Sequence, residues 1–273
     1  MQTEQLLKRC AENQQAASLA EADIADLRRW NSDIDESSRQ LTVQLLLSPM
    51  TDWENIITEH QAHQHPWYDY VADQATINDM ARFLLENSDY PVFLNLLKAI
   101  QQVQFTADGA AAVSENIVDE HQPEPHAELM RRMMQAVKSR ASNSLYLGSY
   151  PSLINRTLVF YYGYYCEPWH LVGSVFATER MGTRRVICMD RGLRRLGLSD
   201  HDLAFTIIHS ECDEHHAADW LERVIIPSVK RQHDLKANIA RGIASCLQTS
   251  KQYLDDVLQW ATHKHRREPE YSL

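Results

Sequence analysis

Two histidines and an aspartate, His209, Asp213 and His216, share one narrow face of a helix-forming segment, and that coincidence constrains the fold more than any other feature. The stretch His209-Ser-Glu-Cys-Asp213-Glu-His215-His216 lies inside an apolar run from Leu203 to Ile226. At about 100° per residue the three side chains stand at about 0°, 40° and 340°. Phe205, Ile208, Trp220 and Val224 flank them, so the triplet is expected on the core side of its helix, where ionisable groups need a partner. A lone histidine on such a face is more often a core residue satisfied by a hydrogen bond. Glu211, Glu214 and His215 also make the segment polar in general. The spacing alone leaves a solvated patch, a satisfied cluster and a metal site open, but three ligand types at one register favour metal, and the remaining ligands must come from elsewhere.

The rest of the chain favours helix. Only 8 glycines and 9 prolines occur in 273 residues, and long stretches of Ala, Leu, Gln, Glu, Arg and Met are helix formers. The length suits one large domain with a well-buried core. A formal net charge of −10 with dispersed basic residues argues against a nucleic-acid partner, which would demand a concentrated basic face. Five widely spaced cysteines without a CxxC pair, and no signal peptide, point to a reducing cytoplasm. No window approaches about 18 uninterrupted apolar residues, so no membrane span is expected.

Periodicity predicts one or two helices between Thr3 and Trp30 and another over Ser37 to Leu47. Thr51 and Glu54 read as a capping box that starts the next helix near Asp52. His65-Pro66 breaks the run from Trp53 to Val71, and helical segments follow at Ile77 to Asn87, Pro91 to Val103, Ala110 to Glu120 and His126 to Ser139. Two prolines between His121 and Pro125 interrupt the backbone, so Glu120 and His126 flank a break. Ser139 to Pro151 is the best loop candidate. The aromatic run Phe160 to Tyr165 is strand-like by propensity but is read as helix. Helices are then expected at Trp169 to Met181, Thr183 to Leu196, Asp202 to Ile226 and Ser228 to His263. Residues 1–50 form an N-terminal helical extension packed on a core domain over 51–265.

Upstream carboxylates and a further imidazole can complete the triplet. Glu179 follows a small, apolar helical stretch starting at Gly173, where a lone carboxylate is costly unless paired or coordinated. With Glu120 and His126, the set becomes three carboxylates and three imidazoles, enough for two irons. The order of these parts resembles the haem-oxygenase-like diiron oxidases and oxygenases, an iron-containing redox enzyme family: His65-Pro66-Trp67, then Asp119-Glu120 with His126, then Gly-x5-Glu179, then His209-x3-Asp213-x2-His216. The resemblance covers roughly Trp53 to Pro227. It implies an all-α, haem-oxygenase-like seven-helix bundle in which Glu120, His126, Glu179, His209, Asp213 and His216 hold two ferrous ions, without haem. Mixed N/O ligands suit iron or manganese better than zinc. Cys212, within the motif, is read as packing.

The resemblance further implies a reaction in which the diferrous pair activates dioxygen as co-substrate against an unactivated C–H bond or an amine. Some N-oxygenating members carry an extra carboxylate about one core helix before the Glu120 position. Here that helix offers only Asn95 and Lys98, which ranks C–H cleavage of a small amino-acid-like substrate in natural-product biosynthesis, with desaturation or C–C fragmentation, above N-oxygenation. A metal-free relative, a cofactorless oxidase or a thiaminase-like enzyme with a catalytic cysteine, is the other alternative. Arg180, Tyr161 and Tyr165 are candidate substrate contacts, and His121 and Glu124 candidate supports for the ligands. An external electron donor and a homodimer stand as candidate partners.

Overall fold

A chain so poor in helix breakers should spend its backbone hydrogen bonds locally, and it does. The computed structural model describes residues 2–13, 19–86, 90–142 and 151–264, excepting the side chains of residues 2, 90–93, 211, 213, 214 and 264. Among the described residues there are thirteen α-helices and no strand. They are α1 (Gln2–Asn13), α2 (Glu21–Leu47), α3 (Trp53–Glu59), α4 (Pro66–Asp73), α5 (Ile77–Glu86), α6 (Tyr90–Ile100), α7 (Ala107–Asp119), α8 (His126–Lys138), α9 (Pro151–Tyr165), α10 (Pro168–Arg195), α11 (Ala204–Asp219), α12 (Ile226–Arg231) and α13 (Leu235–Lys264). A π-helical turn, Trp220–Ile225, joins α11 to α12.

Several boundaries differ from expectation for identifiable reasons. α2 runs unbroken through Asn31 to Glu36 because Asn31, Ile34 and Ser38 share its buried face, and Ser38 Oγ donates to the Ile34 carbonyl. Polar residues on the inner face hid the period. The capping box at Thr51 does not form. A 3-10 turn, Met50–Asp52, leads into α3 with no side-chain cap, and Trp53 Nε1 donates to the Leu45 carbonyl instead. α10 continues through the buried Gly182 as one helix, where two were expected. It ends at Gly197, whose φ of 84° allows Leu198 N–H to reach the Leu193 carbonyl and its own N–H to reach that of Arg194. The expected Ser228 to His263 helix is two helices, α12 and α13, with Gln232 to Asp234 between them. The loop expected over Ser139 to Pro151 lies mostly outside the described residues.

α10 is the central post, packing on α13, α11, α4 and α9. Its crossing with α13 is set by a reciprocal pair of glycines. A Cβ on Gly173 would fall 2.1 Å from the Ile239 carbonyl oxygen, and one on Gly242 would fall 2.0 Å from that of His170. The two backbones therefore touch, and the positions along α10 are fixed relative to α13.

The long helices thread two apolar clusters. One gathers Val172, Val175, Phe176 and Met181 of α10 with Ile239, Ile243 and Leu247 of α13 and with Trp220 and Val224 of the π turn. The other gathers Val186, Met189 and Leu193 of α10 with Tyr253, Leu254 and Val257 of α13 and with Phe205 of α11. Between them the same helices carry Glu179 to Arg185, Thr249, Ser250 and His209 to His216. A third cluster, Leu6, Cys10 and Leu27 against Ile154, Leu158 and Tyr161, joins α1 and α2 to α9.

Two stability predictions follow from the α10–α13 crossing. Gly242→Ala must push the helices apart, and overpacking of this kind costs about 1–3 kcal/mol; calorimetry should record a fall in Tm of roughly 2–10 °C. His170 is buried there against Tyr162, and burial, aided by the charge of Arg241, pushes its imidazole down to about 3. Unfolded histidine takes its proton near pH 6.5, so folding stability is lost as pH falls from there toward 3, by about 2 kcal/mol at pH 5. A His170→Gln variant should show a smaller drop between pH 7 and pH 5 in urea unfolding; an equal drop would place the acid sensitivity elsewhere.

Candidate metal centre

The sequence-predicted ligands come from four helices. Glu120 terminates α7 and His126 opens α8, so the short proline-containing link between them turns both inward, and His126 N–H donates to the Glu120 carbonyl at 3.0 Å. Glu179 sits midway along α10, and His209 and His216 lie on α11. All five side chains are buried. The side chain of Asp213 lies outside the described residues.

Ligand atoms of Glu120, His126 and His209 all fall within 4.8 Å of one another. His126 Nδ1 lies 3.0 Å from Glu120 Oε2, and the His126 and His209 rings meet edge to face at 4.6 Å. His216 Nδ1 and Glu179 Oε2 face each other at 3.8 Å, beyond hydrogen-bond range.

Each histidine gives one ring N–H to an oxygen acceptor. His209 Nδ1 donates to the Phe205 carbonyl at 2.9 Å and His216 Nε2 to Asp119 Oδ2 at 3.2 Å, while His126 lies between two acceptors, Glu120 Oε2 at 3.0 Å from Nδ1 and the Gln122 carbonyl at 3.1 Å from Nε2. Acceptors of this kind fix the tautomer and ring orientation of metal-ligating histidines. The second nitrogen of His216 is thereby turned to Glu179. Burial pushes His209 down to about 4; Glu120 opposes that shift and His126 adds to it. His209 is therefore neutral at pH 7, with a lone pair to offer. Glu179 Oε1 is buried with no hydrogen-bond partner. A carboxylate so placed is costly without a cation, and the donor set fits one.

The remaining candidates are more dispersed. Arg180 is half-buried beside Glu179, and its Nε has no hydrogen-bond partner. Tyr161 and Tyr165 stack on each other in the seam with α1, where Tyr165 Oη donates to the Cys10 carbonyl. His121 is exposed and bonds the Ile117 carbonyl, and Glu124 pairs with Arg132. Sequence reasoning missed Asp119 as the partner of His216 and Asn116 one helical turn before Glu120. The i, i+4 spacing of Asn116 and Glu120 was the available signal.

An all-α scaffold that buries a histidine and carboxylate constellation between its long helices defines the class. The fold is that of a domain of unknown function with a haem oxygenase-like fold from Shewanella denitrificans OS217, with a TM-score of 0.55 and 16% identity over 82% of this chain and 95% of that one. Residues 77–251 match the family model described as iron-containing redox enzyme, and the chain belongs to that family. No curated protein matches it. Among the described residues, no helix is long and apolar enough to cross a membrane.

Metal binding should be visible as stability. At free Fe(II) a hundredfold above Kd, mass action adds about 2.7 kcal/mol, which raises Tm by roughly 5–10 °C for a chain of this size. Anaerobic calorimetry of chelator-treated protein should record that rise, and His209→Ala should remove most of it. An unshifted parent protein would contradict the assignment.

Proposed function

We propose that this protein is a dioxygen-dependent, non-haem diiron oxidase or oxygenase that cleaves a C–H bond of a small amino-acid-like substrate, leading to desaturation or C–C fragmentation. The observation that carries the reading is the buried Glu179 carboxylate, with one oxygen lacking a hydrogen-bond partner and the other facing His216 Nδ1 beyond hydrogen-bond range. Glu120, His126 and His209 would hold one iron. Glu179 and His216 would hold the other, together with Asp213, whose backbone lies on the same helix between the two histidines. Iron in such a pair supplies electrons to dioxygen and the oxidising power for attack on substrate.

The protein's own share is orientation and exclusion. Phe205 and Asp119 hold the imidazoles of His209 and His216 in register through single hydrogen bonds. The ring of Phe205, with its centroid 4.0 Å from that of His209, closes the site against the apolar cluster behind it. Both apolar clusters keep bulk water from the layer between them, which raises the strength of every charge interaction there.

Neither alternative gains comparable support. The helix that would carry an N-oxygenase's extra carboxylate presents only Asn95 and Lys98, both exposed. A thiaminase-like mechanism needs an accessible thiolate; burial raises the thiols of Cys10, to about 12, and of Cys166, Cys188 and Cys246, which leaves that reading only the half-buried Cys212, on the wall of the cavity between α7, α11 and the π turn.

Stopped-flow absorbance tests the reading. Protein loaded anaerobically with Fe(II) and mixed with dioxygenated buffer should give a transient absorbance with a free amino acid or amine, and that transient should vanish in Glu179→Ala. Two bound irons with no transient against any member of such a panel would move the substrate out of this class. Failure to bind iron at all would overturn the proposal.

A further inference from the structure

Beside the metal centre lies a cavity of about 150 Å³ between α7, α11 and the π turn. Its wall includes Glu115, Asn116, Asp119, His216, Asp219 and Trp220. It is smaller than the roughly 300–1,000 Å³ of drug-sized pockets and so takes a small molecule or the head group of a larger one. Glu115, Asp119 and His215 are exposed at its rim.

Two of its buried wall residues carry unspent hydrogen-bonding capacity. Asn116 is 4% exposed, and neither its Oδ1 nor its Nδ2 has a hydrogen-bond partner. Trp220 is 2% exposed, and its Nε1–H is likewise unpartnered. A buried donor or acceptor left without a partner is costly, and buried polar groups without protein partners call for a ligand or ordered water.

Charge says which ligand. Among the described residues, three carboxylates line the cavity and no lysine or arginine does. Arg223, outside the lining, spends its guanidinium on Glu115 at 2.6 Å, Asp219 at 2.8 Å and Asp108 at 3.0 Å. Asp119 has no such partner. Its Oδ2 accepts from His216.

We infer that this cavity binds the primary ammonium group of the substrate, an amine or amino acid, with Asp119 as countercharge and Asn116 Oδ1 as second acceptor. Asn116 Nδ2 and Trp220 Nε1 donate to a neutral oxygen carried by the same molecule. The inference deepens the proposed function, because His216 belongs both to the cavity wall and to the residues facing Glu179, so a molecule anchored here lies against the metal centre.

Ligand-observed NMR on the full chain, with n-butylamine, 1-butanol and butyrate as probes, reads the selectivity directly. It is run on chelator-treated and on Fe(II)-loaded protein. Butylamine should bind at least about tenfold more tightly than butanol, as expected for a charge-assisted hydrogen bond. Asn116→Leu and Asp119→Asn should each reduce that preference by about tenfold, and butyrate should bind most weakly. Trp220→Phe, which keeps the shape and removes the N–H, should leave the amine preference intact. Equal binding of amine and alcohol, or a preference that survives both Asn116→Leu and Asp119→Asn, overturns the inference. Amine selectivity in protein that takes up no iron supports the cavity and faults the metal reading alone; iron uptake without amine selectivity does the reverse.

Discussion

A carboxylate buried in the middle of α10 is the constraint on which the rest depends. Glu179 stands between two apolar clusters that supply most of the burial, and a carboxylate so placed is costly without a cation and the further ligands that would hold one. The response is a whole layer. α11 contributes His209 and His216, the α7–α8 junction contributes Glu120 and His126, and the imidazoles of His209 and His216 each surrender one N–H to an oxygen behind them. The polar residues are thus concentrated where three long helices cross, and the apolar residues are sorted above and below.

Such a layer demands that its helices hold position. The Gly173 and Gly242 contacts lock α10 to α13 backbone against backbone, so neither helix can slide without a clash. Glu179 lies less than two turns from Gly173 on the same rigid element, and its place is therefore fixed by packing rather than by its own weak contacts. Close-packed interiors transmit such constraints well. A metal site at this place would need such supporting residues as much as ligands.

The helical class and the two-part pattern of ligands were legible because they are local. Low glycine and proline content, the HxxxDxxH face of α11 and the proline-containing break before His126 can all be read within one turn or two. What was not legible is long-range. Nothing near Asp119 in the sequence announces that it meets His216, 97 residues away. The polar inner face of α2 and the buried Gly182 of α10 looked like helix ends because tertiary contacts, absent from a local reading, decide whether a polar residue or a glycine is tolerated. Asp213 remains an expectation from spacing.

The junction of α7 with the π turn joins these levels. π-helical turns are rare and often accompany functional sites, and this one presents Trp220 and Val224 to the cavity directly after the last imidazole of α11. Asp119 completes the link, because the carboxylate that accepts from His216 Nε2 also lines the cavity. Charge brought into the cavity is therefore felt one hydrogen bond away from the nitrogen that faces Glu179. An ammonium group at Asp119 would weaken the carboxylate's hold on the imidazole proton and make His216 Nδ1 a poorer donor to metal, whereas a neutral occupant would not. One aspartate is thus placed to couple charge in the cavity to the candidate metal centre through a single hydrogen bond.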